Sequence, residues 1–165
     1  MHLPLALVVT LTTSILAIPT PTPTLTPNSS SSRAALQGSS RNVYLTTCTT
    51  RSLFADSTSS SAILYNSGDT SSSSPSDIGT VSPERAIQWA GYTRRVVLGF
   101  GLFESKIDKG ADGLEKSQIA GSATLGFEQF ACFRDGESTF RFAGGVLGAE
   151  TTVCTAEFWC ASIAV

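Results

Sequence analysis

The heptapeptide CTAEFWC, Cys154 to Cys160, decides how the end of this chain is held to the rest. If it forms one straight strand, its two cysteines share a face and lie about 20 Å apart, beyond the reach of a disulfide. Each cysteine then bonds elsewhere, to Cys48 and Cys132. If the intervening residues instead form a tight loop, a local bond within the heptapeptide is possible and Cys48 pairs with Cys132. The aromatic pair inside the heptapeptide favours a strand, so we expect the first arrangement.

The N-terminal run MHLPLALVVTLTTSILA contains no Asp, Glu, Lys or Arg and ends on a small residue. We interpret residues 1–17 as a cleaved signal peptide, with an uncleaved anchor as the alternative. The chain ends without the polar spacer and apolar tail of a lipid anchor. We therefore expect a secreted, extracellular protein without a membrane anchor, in which an even number of cysteines forms two disulfides.

Residues 18–40 hold four of the seven prolines, with Thr and Ser between them. Such a composition cannot bury a core and predicts a disordered segment. It is also typical of an O-glycosylated stalk, and a propeptide is a further interpretation. Asn28 begins the only Asn-x-Ser/Thr sequence of the chain and is the predicted N-glycosylation site.

Residues 41–165 are long enough for a single small domain, and their patterns are those of strands. We predict an all-β fold, an antiparallel β-sandwich or small barrel of about seven or eight strands with two disulfides. Residues 67–85 are predicted as a long exposed loop, because Ser, Gly, Asp and Pro dominate them. Residues 96–102 alternate as one apolar strand, and Asp135-Gly136 predicts a tight hairpin turn.

Several classes of function are not expected, because the sequence lacks the residues that they require. The only histidine is His2, within the predicted signal peptide, so histidine-based catalysis and histidine metal sites are not expected. The cysteines lack knuckle spacing, and Asp108–Gly113 resembles the start of a calcium loop but has Ile119 at its twelfth position, where Glu is required. The formal net charge of -2 gives no general attraction to nucleic acid. We predict no catalytic residue, no metal and no cofactor.

Catalysis by carboxylates is still compatible with the sequence, because a glycoside hydrolase needs only two acidic side chains across a cleft. The candidate acids are Glu104, Glu128, Asp135, Glu137 and Glu157. Against this function, a domain of this size has little room for a deep sugar cleft, and two of the acids flank the predicted hairpin turn.

Four residues are candidates for ligand binding. Trp89 and Tyr92 could form a platform on which a sugar stacks, although core packing is the alternative for both. In a straight C-terminal strand, Glu157 and Trp159 share the face opposite the cysteines. That arrangement would place a carboxylate beside an aromatic ring.

The segments VYLTTC, QWAGYTRRVVLG, FACFRDGESTFRF and CTAEFWC together resemble a family of small secreted cysteine-containing fungal proteins. The resemblance spans Val43 to Ile163 and implies a secreted β-rich domain from a fungus. Its motifs are structural, so it implies no catalytic residue.

Two functions follow as expectations. The first is a secreted β domain that acts by binding, as an effector-like protein or at the fungal surface, toward a cell-wall glycan or a host protein. The second is a histidine-free, carboxylate-dependent glycoside hydrolase. A purely structural cell-wall protein is a third interpretation.

Overall fold

A computed structural model describes residues 39–52, 55–66, 74–144 and 150–164. The predicted signal peptide, Asn28 and nearly all of the Pro/Thr/Ser-rich segment lie outside the described residues. Within the described residues the chain forms nine strands and one short 3-10 turn. These are β1 (Asn42–Arg51), β2 (Ser57–Tyr65), β3 (Asp77–Ser82), β4 (Thr93–Leu98), β5 (Gly101–Ile107), the turn Ala111–Gly113, β6 (Ile119–Leu125), β7 (Glu128–Arg134), β8 (Thr139–Gly144) and β9 (Glu150–Ser162).

All pairings between the strands are antiparallel and join them into a single sheet. Its order is β3-β2-β1-β9-β7-β6-β5-β4, and β8 pairs with β9 outside this path. The sheet curls until β3 and β4 nearly meet, which makes it a nearly closed barrel. The predicted all-β antiparallel class is confirmed, and of the two predicted architectures the barrel is the one formed.

The two end strands of the sheet approach each other at Gly79. A Cβ atom added there would lie 2.6 Å from Val96 Cγ2 and 2.9 Å from Leu98 Cδ2, so a larger residue would force these two side chains of β4 to move. The carboxylate of Asp77 accepts a hydrogen bond from the Gly99 amide at 2.5 Å. Side-chain packing therefore closes the barrel where the ladder of backbone hydrogen bonds ends.

The inner face of the barrel carries the larger hydrophobic core. We call this set the barrel core; it includes Val43, Leu45, Leu64, Trp89, Leu98, Phe103, Ile107, Leu125, Phe130, Cys132, Phe158 and Cys160. Val43 and Leu45 of β1 and Ala62 and Leu64 of β2 point into it, as expected for strands with alternating side-chain directions.

A second hydrophobic cluster lies on the opposite face of β1, β2 and β9. We call it the aromatic cluster; it contains Tyr44, Cys48, Ile63, Tyr65, Phe140, Cys154, Ala156, Trp159 and Ala161. The ring centroids of Tyr44 and Phe140 are 4.9 Å apart, and those of Tyr65 and Phe140 are 5.7 Å apart. Phe140 belongs to β8, so this cluster attaches β8 to the barrel.

The heptapeptide lies within β9, and the predicted disulfide arrangement is confirmed. The bonds are Cys48–Cys154 and Cys132–Cys160. The expected straight strand is wrong in one respect, because β9 contains a β-bulge. Leu45 pairs with Phe158 and Thr46 pairs with Ala156, so Glu157 is the extra residue.

The bulge changes which side chains share a face. Cys160 lies in the barrel core, whereas Cys154 lies in the aromatic cluster. Trp159 therefore packs in the same cluster as Cys154, and the expected common face of Glu157 and Trp159 opposite both cysteines does not form. A single unpaired residue is sufficient, because the side chains of a strand alternate with a period of two.

Three local predictions from the sequence were wrong. The predicted loop of residues 67–85 contains β3, a polar edge strand whose Val81 packs against the barrel core. The predicted single strand of residues 96–102 is a hairpin, because Leu98 pairs with Gly101 around the turn Gly99–Phe100. At Asp135-Gly136 the chain turns, but β7 and β8 pair with different halves of β9 rather than with each other.

Candidate functional site

One open surface lies where β8 pairs with the first half of β9, next to β1 in the same sheet. We call it the threonine groove; it has a volume of about 740 Å³ and is lined by Thr47, Thr49, Arg51, Ser52, Arg141, Thr151, Val153 and Thr155. Threonine contributes half of these side chains, and two of the others are arginines.

Strand alternation explains why the groove is polar. On one face of the three strands, Cys48, Phe140 and Cys154 are buried in the aromatic cluster. Their neighbours along each strand point to the other face, where Thr47 pairs with Thr155 of β9. Threonine suits such a position, since its branched side chain favours strands and its hydroxyl remains in water.

The two arginines stand on either side of β9. Arg51 pairs with Thr151, whereas Arg141 pairs with Val153 from the other edge. Two strand spacings and an offset of two residues place their Cα atoms about 12 Å apart. Within the described part of the chain, neither guanidinium has a hydrogen-bonding or ion-pair partner. Both positive charges are thus available to a ligand.

Glu157 borders the groove at the bulge. Its carboxylate accepts a hydrogen bond from the Thr47 hydroxyl at 2.7 Å, and its backbone oxygen accepts bonds from the Arg134 guanidinium and from the Asp135 amide at 3.0 Å. Burial raises the pKa of the Glu157 carboxyl above its ordinary value. The bond from Thr47 lowers that pKa, the charge of Asp112 raises it and Arg134 lowers it. The net shift is upward.

This shift predicts that the Glu157→Gln variant is more stable than the wild type at pH 7. A carboxyl whose pKa is raised in the folded protein destabilises the fold when it is ionised. This loss of stability is complete at pH values above the pKa in the folded state and disappears at pH values below the pKa in the unfolded state. We expect a gain of less than about 1 kcal/mol, since the group is only half-buried. The gain should disappear as the pH falls below the ordinary value of 4.5. Urea unfolding of the wild type and the variant at pH 7 and pH 3.5 measures the gain in stability and its disappearance at low pH.

Thr47→Val is the companion variant. It removes the donor that favours the ionised carboxyl, so it should destabilise the protein more at pH 7 than at pH 3.5. If Glu157→Gln were less stable than the wild type at pH 7, the surroundings would favour the ionised form and the direction of the shift would be wrong.

The aromatic residues predicted to bind a ligand lie elsewhere. Trp89 is only 1% exposed and belongs to the barrel core, so its ring is closed to a ligand at the surface. Tyr92 is 52% exposed, but the Arg94 guanidinium covers its ring at 4.6 Å. Trp159 is 6% exposed and stacks on Phe133 with centroids 4.7 Å apart. Of the four predicted residues, Glu157 is the one at the groove.

The candidate acids are held by separate partners. Glu104 pairs with Arg95, and Glu137 pairs with Lys116 at 2.5 Å. Glu128 bonds to Arg41 at 2.5 Å and to Ser162. Asp135 accepts the amides of Glu137 and Ser138 at 3.1 and 3.0 Å, which holds the turn before β8. The carboxylate whose charge acts on Glu157 is instead Asp112.

Two features are absent from the described residues. No group of three or more His, Cys, Asp and Glu side chains among them could hold a metal ion. In the same residues, no helix is long and apolar enough to cross a bilayer.

The groove was missed from the sequence, although part of its signal was visible. The alternation of Thr47 and Thr49 marks one polar face of β1, as does that of Thr151, Val153 and Thr155 in β9. Nothing in the sequence shows that β8 joins the same face or that Arg51 and Arg141 stand on either side of β9.

In comparisons with known proteins, no family model, curated protein or solved structure matches this chain.

Proposed function

We propose that this protein is a secreted β domain that acts by binding an extracellular ligand in the threonine groove. The two disulfides are consistent with an oxidising compartment, and the apolar N-terminal run supports export. The resemblance to small secreted fungal proteins supports the same role, as an effector-like protein or at the cell surface.

One observation carries the proposal: an open groove of about 740 Å³ with two arginines that have no partner in the described residues. Exposed arginines commonly find acidic neighbours, as Arg95 does with Glu104. A surface with several hydroxyl groups and two available positive charges is suited to recognition, since such groups fix the orientation of a ligand.

The test is binding of the purified protein to purified neutral and acidic wall glycans and to purified host surface proteins. Thr49→Leu/Thr155→Leu fills the groove and removes two hydroxyls, whereas Thr93→Leu/Thr80→Leu changes exposed threonines of β4 and β3 as a matched control. We expect a ligand whose binding is lost in the first variant and kept in the second. If no ligand binds, or both variants bind equally, the groove is not the binding site.

A carboxylate-dependent hydrolase is the second candidate. Glu157 is half-buried, burial raises the pKa of its carboxyl, and the charge of Asp112 raises that pKa further. A raised pKa is the property of a general acid at neutral pH. Release of reducing ends from a polysaccharide, abolished in both Glu157→Gln and Asp112→Asn, would replace the binding proposal with this one.

A further inference from the structure

We infer that the ligand of the threonine groove is an acidic glycan, a polyhydroxylated chain that carries carboxylate or sulfate groups. This inference rests on the proposed function and adds the chemical class of the ligand. It follows from three properties of the groove: its hydroxyl groups, its two guanidinium groups and a described lining in which Val153 is the only aliphatic side chain.

The hydroxyl groups match a sugar chain. Thr49, Thr151 and Thr155 are exposed, and the structure gives their hydroxyls no partner in its described residues. A hydroxyl both donates and accepts hydrogen bonds, as the hydroxyls of a sugar do. A row of threonines on neighbouring strands can therefore exchange hydrogen bonds with successive sugar hydroxyls without a fixed direction of donation.

The guanidinium groups require negative charge in the ligand. Arg51 and Arg141 are both exposed, and each presents a planar fork of donors that fits a carboxylate or sulfate. None of the described residues that line the groove is acidic, and the carboxylate at its border, that of Glu157, is bonded to Thr47 rather than to either arginine. With Cα atoms about 12 Å apart, the arginines fit an extended chain with repeated anionic groups better than a small ion.

The other classes of ligand fit less well. Val153 is the only aliphatic side chain in the described lining, so the groove has no pocket for the apolar anchors of a peptide or for a lipid chain. The described lining contains no aromatic side chain on which a nucleic-acid base could stack.

The test compares matched pairs of polymers that differ only in charge. Dextran sulfate is compared with dextran, and polygalacturonate with its methyl ester, by calorimetry at low and physiological salt. We expect binding to at least one charged polymer and none to its neutral partner, and the two pairs distinguish sulfate from carboxylate. The affinity should fall as salt rises. Each of Arg51→Ala and Arg141→Ala should weaken binding about tenfold.

The double variant Arg51→Ala/Arg141→Ala should also lose the salt dependence, which a merely structural effect would not change. Arg95→Ala/Lys116→Ala removes the same charge elsewhere and should bind as the wild type does. Thr49→Glu, which places a negative charge in the groove, should abolish binding. Circular dichroism confirms that each variant is folded.

The outcomes separate this inference from the proposed function. Equal binding to charged and neutral polymers, or equal loss in the Arg95/Lys116 control, overturns the acidic-glycan assignment. A host protein or neutral glycan that binds in the groove and is lost in Thr49→Leu/Thr155→Leu, but kept in the arginine variants, leaves the proposed function standing and overturns the inference. Binding of nucleic acid in preference to every glycan overturns it as well.

Discussion

Replacing Cys48 and Cys154 together with alanine is expected to lower the free energy of unfolding by about 4 to 5 kcal/mol. The residues are 106 positions apart, so their bond removes much conformational freedom from the unfolded chain. Cys132 and Cys160 are only 28 positions apart, and their replacement should cost less, about 3 to 4 kcal/mol. Denaturant unfolding under non-reducing conditions measures both losses.

The order of the two losses tests the entropic explanation. Cys132 and Cys160 are both fully buried in the barrel core, whereas the other bond lies in the aromatic cluster. If core packing around the sulfur atoms outweighed the length of the closed loop, Cys132→Ala/Cys160→Ala would be the more damaging pair. That reversed order would contradict the prediction.

Gly121→Ala is the second change with a large expected effect. Gly121 lies in β6 with a φ of 150°, and a Cβ atom there would sit 2.2 Å from the backbone oxygen of Lys106 and 3.0 Å from Ile107 Cα. These atoms belong to the neighbouring strand and cannot rotate away. We expect a loss of at least about 3 kcal/mol, or failure to fold.

Gly113→Ala is the matched control, because a Cβ atom there meets nothing within 4 Å. It should change stability by less than about 0.5 kcal/mol. Thermal unfolding of the wild type and both variants makes the comparison. A Gly121→Ala protein with the stability of the control would mean that β5 and β6 are further apart than the structure has them.

The alternating strands and the disulfide arrangement could be predicted because each depends on local pattern or simple reach. In β1, Val43 and Leu45 alternate with Tyr44 and Cys48, and the structure keeps that division. The bulge at Glu157 could not be predicted, since it depends on how β9 pairs with β1 across more than a hundred residues. β3 was missed because an edge strand needs little apolar content when glycine and valine reach the core.

The site was harder to predict than the fold. The sequence offered aromatic residues as candidate ligand contacts, with core packing as the alternative for Trp89 and Tyr92. Trp89 and Trp159 are both buried, as is usual for large side chains in a small domain. The residues that define the groove are threonines and arginines, which are common on any solvated sheet. They line one groove only because β8 pairs with β9, and no local sequence pattern indicates that these two strands pair.

The central position of β9 has a consequence for biosynthesis. It is made after the other described strands, yet it lies between β1 and β7 in the sheet and supplies one cysteine to each disulfide. Before Cys154 is synthesised, the one pair open to oxidation is Cys48 with Cys132, which the folded protein does not contain. Productive oxidation must therefore wait for the C-terminal segment or correct an earlier bond, which makes the yield of native protein dependent on thiol–disulfide exchange in the compartment where it folds.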